Sequence, residues 1–353
     1  TGFQDVSALN GVRHYFAMRF TGKESSGGSM RGVGIIGTGR HGSRYVHHIM
    51  NDIDGMELKA VSRRSFEGKE QAAEWGVSWH QDWRDLIADR AVEAVISVVP
   101  PSLNLPIGQE CARAKKPLLI EKPLAVNSLE AATLVAAMED AGVPVTVGQT
   151  LRYNAVIREL KTRLPEMGRL YSFTANQRLE PSSLSWHDQP ELAGAGVMIH
   201  TAVHIFDALR FITGLRIERV MASVHRCYNN NLEDLVTILV EMESGVAGTL
   251  DVSKVGHARS GRYEFICDNG QLYGEQIHSF VDQAAGNSLL RLVEPTPVNT
   301  ILSLLRDWND FLEGKAPNPV SGEDGLYAVR VCDACLESAE KECWVGISWK
   351  DGR

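Results

Sequence analysis

Apolar positions along this chain follow two different rhythms. Between Met30 and about Gly148, short apolar runs at 33–36, 58–61, 94–99, 118–120 and 143–147 alternate with stretches of helical spacing. Runs that are apolar at every position suit strands buried on both faces, and their alternation with helices predicts a doubly wound parallel sheet. One helix is well punctuated: Asn127 or Ser128 caps it, Glu130 sits in its first turn and Gly142 ends it. Beyond Gly148 the strands lengthen and hairpin signals enter. Glu243-Ser244-Gly245 separates 235–241 from 247–253, and Asn269-Gly270 follows 263–267. Helical spacing recurs at 198–213, 300–313 and 323–341. This half predicts an α+β domain with one mainly antiparallel, open sheet, whose free face suits contact between subunits.

The first apolar run breaks into Gly37-Thr38-Gly39-Arg40-His41-Gly42, a G-x-G-x-x-G turn. After a strand and before a helix, such a turn binds a dinucleotide. The first glycine makes the tight turn, the second lets backbone approach a pyrophosphate, and the third allows close helix–strand contact. The helix that follows aims its free amides and positive dipole end at the same anion. The fold class expected is therefore α/β, a Rossmann unit followed by the α+β domain. Residues 1–29, with Ser25-Ser26-Gly27-Gly28-Ser29, read as a disordered leader or linker, 30–148 as the dinucleotide-binding domain, and 149–353 as the substrate-binding and oligomerisation domain.

The second apolar run ends in Ser62-Arg63-Arg64-Ser65, where an NAD-binding chain commonly places a carboxylate for the ribose diol. Guanidinium without a carboxylate suits a 2′-phosphate, so NADP(H) is the preferred cofactor, with NAD(H) as the alternative. The competing reading is a solvated pair of surface arginines.

Size and charge narrow the class. At 353 residues the chain suits two domains. A net charge of -8 with scattered Lys and Arg argues against nucleic acid as a partner. No continuous apolar run approaches a membrane span, which with the absence of a secretion-signal pattern predicts a cytoplasmic protein without a membrane partner. Six irregularly spaced cysteines read as free thiols. Cys332-Asp333-Ala334-Cys335 reads as ordinary helix residues, since no second pair or histidine cluster completes a zinc site, and no metal is expected.

Candidate chemistry clusters at strand ends. Val99-Pro100 and Glu121-Lys122-Pro123 follow apolar runs, at the carboxyl edge where ligands bind in open α/β sheets. The cofactor set thus comprises Gly37, Thr38, Gly39, Arg40, His41, Gly42, Ser62, Arg63, Arg64, Val99, Pro100, Glu121 and Lys122. From spacing alone, Lys122 poised over a cofactor and Lys122 as a surface lysine stand level. In the second half, His200 and His204 lie four apart on an apolar helix and share a face, with Asp207 one turn on. A metal site would need the glutamate of H-E-x-x-H or a third ligand. Hydrogen-bonded core histidines and an acid/base histidine remain as the two readings.

Together these segments resemble the glucose-fructose oxidoreductase, inositol dehydrogenase and MocA-like family. The resemblance rests on Gly37–Gly42, Glu121-Lys122-Pro123, Gly148-Gln149-Thr150-Leu151-Arg152-Tyr153-Asn154, Gly194 to Asp207, and Ser321-Gly322-Glu323-Asp324-Gly325. It implies that Lys122 and His204 contact the substrate carbinol and that the Lys122–Pro123 bond is cis. The family commonly reads D-x-G-x-H where this chain has His200-Thr201-Ala202-Val203-His204, so His200 replaces an aspartate and an anion is lost beside Lys122.

The expected catalytic set is Lys122, His204 and His200. Neutral His204 would accept the hydroxyl proton and cationic Lys122 would stabilise the oxyanion; the family also offers the reverse assignment, in which the lysine carries the proton. Arg152, Tyr153, Trp186, His200 and His204 are the expected substrate-lining residues, with His187 beside them. Trp186 either stacks on a sugar face or packs on its own domain. Asn104 stands near a position where relatives often carry histidine.

The function expected is an NADP-dependent oxidoreductase of a sugar, inositol or related polyol, assembled as a homodimer or homotetramer through the second sheet. The alternatives are a glycoside-cleaving enzyme that oxidises transiently with a tightly held dinucleotide, and a non-catalytic cofactor sensor.

Overall fold

The computed structural model describes residues 30–349. The expected leader or linker at 1–29 lies outside the described residues. Six parallel strands form the first sheet: β1 (Arg31–Ile36), β2 (Met56–Ser62), β3 (Ser78–His80), β4 (Ala94–Ser97), β5 (Leu118–Glu121) and β6 (Val145–Gly148). Their order, β3-β2-β1-β4-β5-β6, reverses between β1 and β4. Connections leave β1 and β4 in opposite directions there, which opens a crevice at the carboxyl ends of both strands.

The apolar runs conceal a period of two. Val33, Ile35, Ala94, Ile96 and Leu119 pack into one layer with α1 (Gly42–Asn51) and α2 (Glu67–Trp75). Ile36, Ala60, Val95, Leu118 and Ile120 pack on the other side with α3 (Trp83–Ala88), α4 (Asn104–Ala114) and α5 (Ser128–Asp140). Asn127 caps α5, accepting a hydrogen bond from the Glu130 amide at 2.9 Å. No apolar run announces β3, a three-residue edge strand with partly exposed side chains.

The second unit begins with α6 (Ala155–Arg163), β7 (Leu170–Arg178), the single turn α7 (Pro190–Ala193) and α8 (Val203–Thr213). There follow β8 (Ile217–His225), β9 (Leu235–Met242), β10 (Ala247–Ser253), β11 (Arg262–Cys267), β12 (Gly270–Glu275), β13 (Phe280–Ala285) and β14 (Ser288–Val293). The chain ends with α9 (Thr300–Leu312), α10 (Gly322–Lys341) and the short β15 (Val345–Gly346). Nine strands pair in the order β14-β13-β12-β11-β7-β10-β9-β8-β15, antiparallel except where β10 lies parallel to β7. Both expected hairpins form, β9 with β10 and β11 with β12. One face buries Val236, Ile238, Val240, Val252, Tyr263 and Phe265, while the other exposes Tyr171, Met221, Leu239 and Ile266.

Three expectations need correction. Residues 300–312, assigned above to the second domain, pack on the first sheet: Ile301, Leu304, Leu305 and the fully buried Trp308 join Val33, Tyr45 and Ile49. His48 fastens that contact, its Nδ1–H donating to Asp52 at 2.6 Å and its Nε2 accepting from Asn299 at 2.9 Å. Second, the helical stretch 190–213 is long and apolar enough to cross a membrane by length and composition, but its most apolar window is 83% buried inside the protein, so core packing accounts for its apolarity. Third, 198–213 is not one regular α-helix, because Met198–Ala202 forms a π-helical turn ahead of α8. Cys332 and Cys335, by contrast, are buried, unpaired residues of α10, as read from the sequence.

An ion network ties this unit together. The carboxylate of fully buried Asp207 on α8 accepts from Arg152 Nε at 2.8 Å and Nη2 at 2.6 Å. Asp324 at the start of α10 lies 3.3 Å from the same guanidinium. Removing one partner of a buried pair leaves the other charge uncompensated, at a cost of ~3–5 kcal/mol. Asp207→Ala is expected to lower the unfolding free energy obtained from urea titration by an amount in that range. Asp324→Ala, at the more exposed position, is expected to lower it less.

Candidate active site

The glycine turn lies at the crevice. Gly37 has φ +90°, and a Cβ there would overlap the Val98 carbonyl oxygen. A Cβ on Gly42 would overlap the Gly37 carbonyl oxygen, so α1 packs on the turn with no room for a side chain. Gly39 differs: where its Cβ would stand, nothing lies within 4 Å. A closed turn beneath and open space above is the geometry a pyrophosphate requires, so these residues fit a dinucleotide. Thr38 is buried and its hydroxyl donates to Gln71 at 2.7 Å, while Arg40 and His41 are exposed on the rim. Ser62 is buried beside the turn, its carbonyl accepting from the Gly37 amide at 2.8 Å. Val99 and Pro100 border the other side, just after β4.

At the adenosine end the expectation of guanidinium without a carboxylate fails. Helix α2 opens with Glu67 four residues after Arg63, and the turn folds its carboxylate onto the Arg63 guanidinium as an ion pair. Arg63 also donates to Gln71 at 3.2 Å and to the Thr38 carbonyl at 3.4 Å, which fixes it beside the glycine turn. Arg64 is exposed, with no ion pair to its side chain among the described residues.

The end of β5 carries the Glu121-Lys122-Pro123 segment, with the Lys122–Pro123 bond cis. Glu121, expected among the cofactor contacts, is buried and bound from within. His41 Nε2 donates to its Oε1 at 2.8 Å, the Tyr45 hydroxyl donates to the same oxygen, and the Lys122 amide donates to Oε2 at 3.1 Å. Burial alone would raise its pKa; the His41 bond and charge, the Tyr45 hydroxyl and the Lys122 charge outweigh that and hold it below 4.5. Asn104 is buried too, its amide donating to the Pro123 carbonyl at 3.0 Å, so it braces the Lys122 loop. Lys122 points the other way and donates from Nζ to the His200 carbonyl at 3.0 Å. Burial lowers its pKa against the opposing pull of Glu121.

That hydrogen bond reaches the histidine segment. The π turn gives its two histidines different neighbours. His204 Nδ1–H donates to the buried Gln149 Oε1 at 3.1 Å, which leaves Nε2 as an acceptor. His200 stacks on His187 at a centroid distance of 4.6 Å, and Trp186 meets it edge-on at 5.3 Å. Trp186 thus packs within its own unit. His200 Nε2 is buried with no hydrogen-bond partner. Burial first, then neighbouring positive charge, lowers all three histidines: His187 to about 3, His200 and His204 well below 6.5. They are neutral at pH 7.

Lys122, His187, His200 and His204 are therefore near neighbours, with the Lys122 charge acting on all three rings, and Trp186 packs on His187 and His200. Arg152 and Tyr153, expected beside the substrate, are engaged elsewhere. Arg152 is held by Asp207 and Asp324, and the Tyr153 hydroxyl donates to Asp307 at 2.8 Å within the layer containing Trp308. Sequence reasoning passed over two others. Gln149 lies within Gly148–Asn154 with no signal of its own, and Lys254 follows β10 with no motif to mark it. Lys254 lines a pocket with Ser182, His187, His200 and Asn229, where burial and the Lys122 charge lower its pKa to about 8. A close group of His47, His48 and Asp52 lies on α1, but both ring nitrogens of His48 are already used by Asp52 and Asn299.

Comparison with known proteins agrees with this architecture. Residues 31–149 match the family described as "Oxidoreductase family, NAD-binding Rossmann fold", and residues 163–273 match the "GFO/IDH/MocA C-terminal domain". Inositol 2-dehydrogenase 1 of Saccharopolyspora erythraea is 28% identical over 341 residues, covering 90% of this chain and 97% of its own. Myo-inositol 2-dehydrogenase of Thermotoga maritima is 24% identical, covering 88% of this chain and 96% of its own. The structure of a levoglucosan dehydrogenase in complex with NADH superposes with a TM-score of 0.82 at 22% identity, covering 91% of this chain and 100% of that one, a likeness of fold. With both units matched in order along the chain, the protein belongs to the Gfo/Idh/MocA family of oxidoreductases, whose first unit is an NAD-binding Rossmann fold.

Proposed function

We propose that the protein is a nicotinamide-dependent dehydrogenase or reductase that interconverts a carbinol and a carbonyl of a sugar, inositol or related polyol. The observation that carries this reading is the convergence of Lys122, from the end of β5, on the segment that bears His200 and His204. Relatives named as inositol dehydrogenases support the polyol class. When bound, the nicotinamide supplies a carbon that takes up or returns the hydride. His204 takes the hydroxyl proton at Nε2, since Gln149 fixes the proton on Nδ1 and a depressed pKa keeps the ring neutral. Lys122 offers its ammonium to the oxygen as negative charge develops there. Reduction runs the same transfers backwards.

The adenosine end supports NADPH over NADH through Arg63 and Arg64, with Glu67 offsetting part of the Arg63 charge. The exposed apolar residues on the outer face of the nine-stranded sheet support a homodimer or homotetramer formed there. Six unpaired cysteines suit a reducing compartment, and we place the enzyme in the cytoplasm.

With a polyol panel at saturating cofactor, His204→Ala is expected to lower kcat by ~10²–10⁴ and Lys122→Met by a similar factor, with the cofactor still bound. Full turnover in both variants would displace the site. A base whose pKa is lowered stays unprotonated as pH falls through 6.5, so the rate of oxidation is expected to remain flat there and to fall only at lower pH. An acid limb at or above 6.5 would count against His204. In titrations with each cofactor, Arg63→Ala is expected to reduce the NADPH-to-NADH affinity ratio about tenfold, and Glu67→Gln to raise it.

A further inference from the structure

The pocket beside His200 is lined by a buried lysine, Lys254, together with Glu233 and Asp234. Lys254 enters from the end of β10, close enough to be opposed by the Lys122 charge, and among the described residues neither ammonium has a carboxylate within ion-pair distance. The two carboxylates near Lys254 are both engaged by backbone amides. Asp234 accepts from the amides of Cys227 at 2.7 Å, Tyr228 at 2.7 Å and Asn229 at 2.9 Å. Glu233 accepts from the Met198 amide at 3.0 Å, and burial raises its pKa toward the neutral acid. Where the family commonly has an aspartate, His200 brings no charge; it lines the same pocket, and its Nε2 is buried and unpartnered. Asn229 and Ser182 complete the polar wall. Glu121 offsets Lys122 and Glu233 offsets Lys254 in part, and an anion placed beside Lys254 and the orphaned His200 nitrogen would satisfy both the remaining charge and the unpaired ring nitrogen.

We infer that the substrate is an anionic polyol, a sugar acid or a sugar phosphate, whose charged group is held by Lys254 and His200 while Lys122 and His204 address the reacting carbinol. This inference rests on the oxidoreductase reading above and narrows its substrate class. Lys254 selects the substrate; it has no part in hydride or proton transfer.

Matched pairs test it. Gluconate against glucitol, and glucose 6-phosphate against glucose, are titrated calorimetrically into the protein saturated with reduced cofactor. At least one charged member is expected to bind about tenfold or more tightly than its neutral partner, and the pair that shows the gap identifies carboxylate or phosphate. In Lys254→Gln the charged ligand is expected to lose most of that gap, the neutral one less than twofold, and Lys254→Arg to restore it. Should the glutamine variant fail to fold, added sodium chloride serves on the wild type, where it is expected to weaken the charged ligand selectively. Equal binding within both pairs, or equal loss in both on removing Lys254, overturns the inference. Turnover of the same panel separates the two levels: oxidation of neutral polyols in preference to charged ones sinks the anion assignment alone. Anion binding through Lys254 with no hydride transfer from any member upholds the anion site and sinks the oxidoreductase reading.

Discussion

At the carboxyl end of β5 the carboxylate of Glu121 is nearly cut off from water, and it remains an anion because hydrogens from His41, Tyr45 and the Lys122 amide all point at it. His41 adjoins the glycine turn and Tyr45 belongs to α1, so one oxygen of the group holds the dinucleotide-binding helix. The other oxygen holds the backbone from which Lys122 projects. The glycine turn and Lys122 are thereby set relative to each other by a single side chain. Leaving such a carboxylate without its donors costs several kcal/mol, so the arrangement tolerates little drift.

Burial does further work in the cleft by choosing protonation states. Placing three imidazoles near two ammonium groups in a dehydrated wall makes the rings neutral, since a third positive charge there would be repelled and poorly solvated. A neutral ring with Nδ1–H fixed by Gln149 is a base. The same dehydration lowers both lysines from their ordinary value, Lys254 to about 8.

Much of this was legible in the sequence, and what was missed has a common cause. The glycine turn, the apolar runs, the hairpins and the capped helix are local patterns, written within a few residues of where they act. Lys122 stood out by its strand-end position and His204 by its helical spacing from His200, each joined by a resemblance. The errors concern partners distant in sequence or brought close by a turn. Glu67 neutralises part of Arg63 only once α2 folds back, and Arg152 is held by Asp207 and Asp324. Tyr153 faces Asp307, 154 positions later, on a helix that packs on the first sheet. Lys254 follows a strand with nothing around it to mark it, and only the pairing of β10 with β7 and β9 brings it to the cleft. The π turn was hidden because its residues are as apolar as those of the helix it precedes.

The return of α9 to the first sheet has a consequence for how this architecture can be taken apart. Trp308 and its neighbours fill a socket lined by Val33, Tyr45 and Ile49, so the nucleotide-binding lobe completes its hydrophobic interior with a segment synthesised more than 150 residues later. A fragment truncated after Gly148 would present that socket to water as a greasy hollow and invite aggregation. The lobes are thus not interchangeable modules. A chimera that exchanged cofactor specificity between relatives would have to transplant α9 along with the glycine turn, and a nascent chain must reach α9 before the first lobe can close.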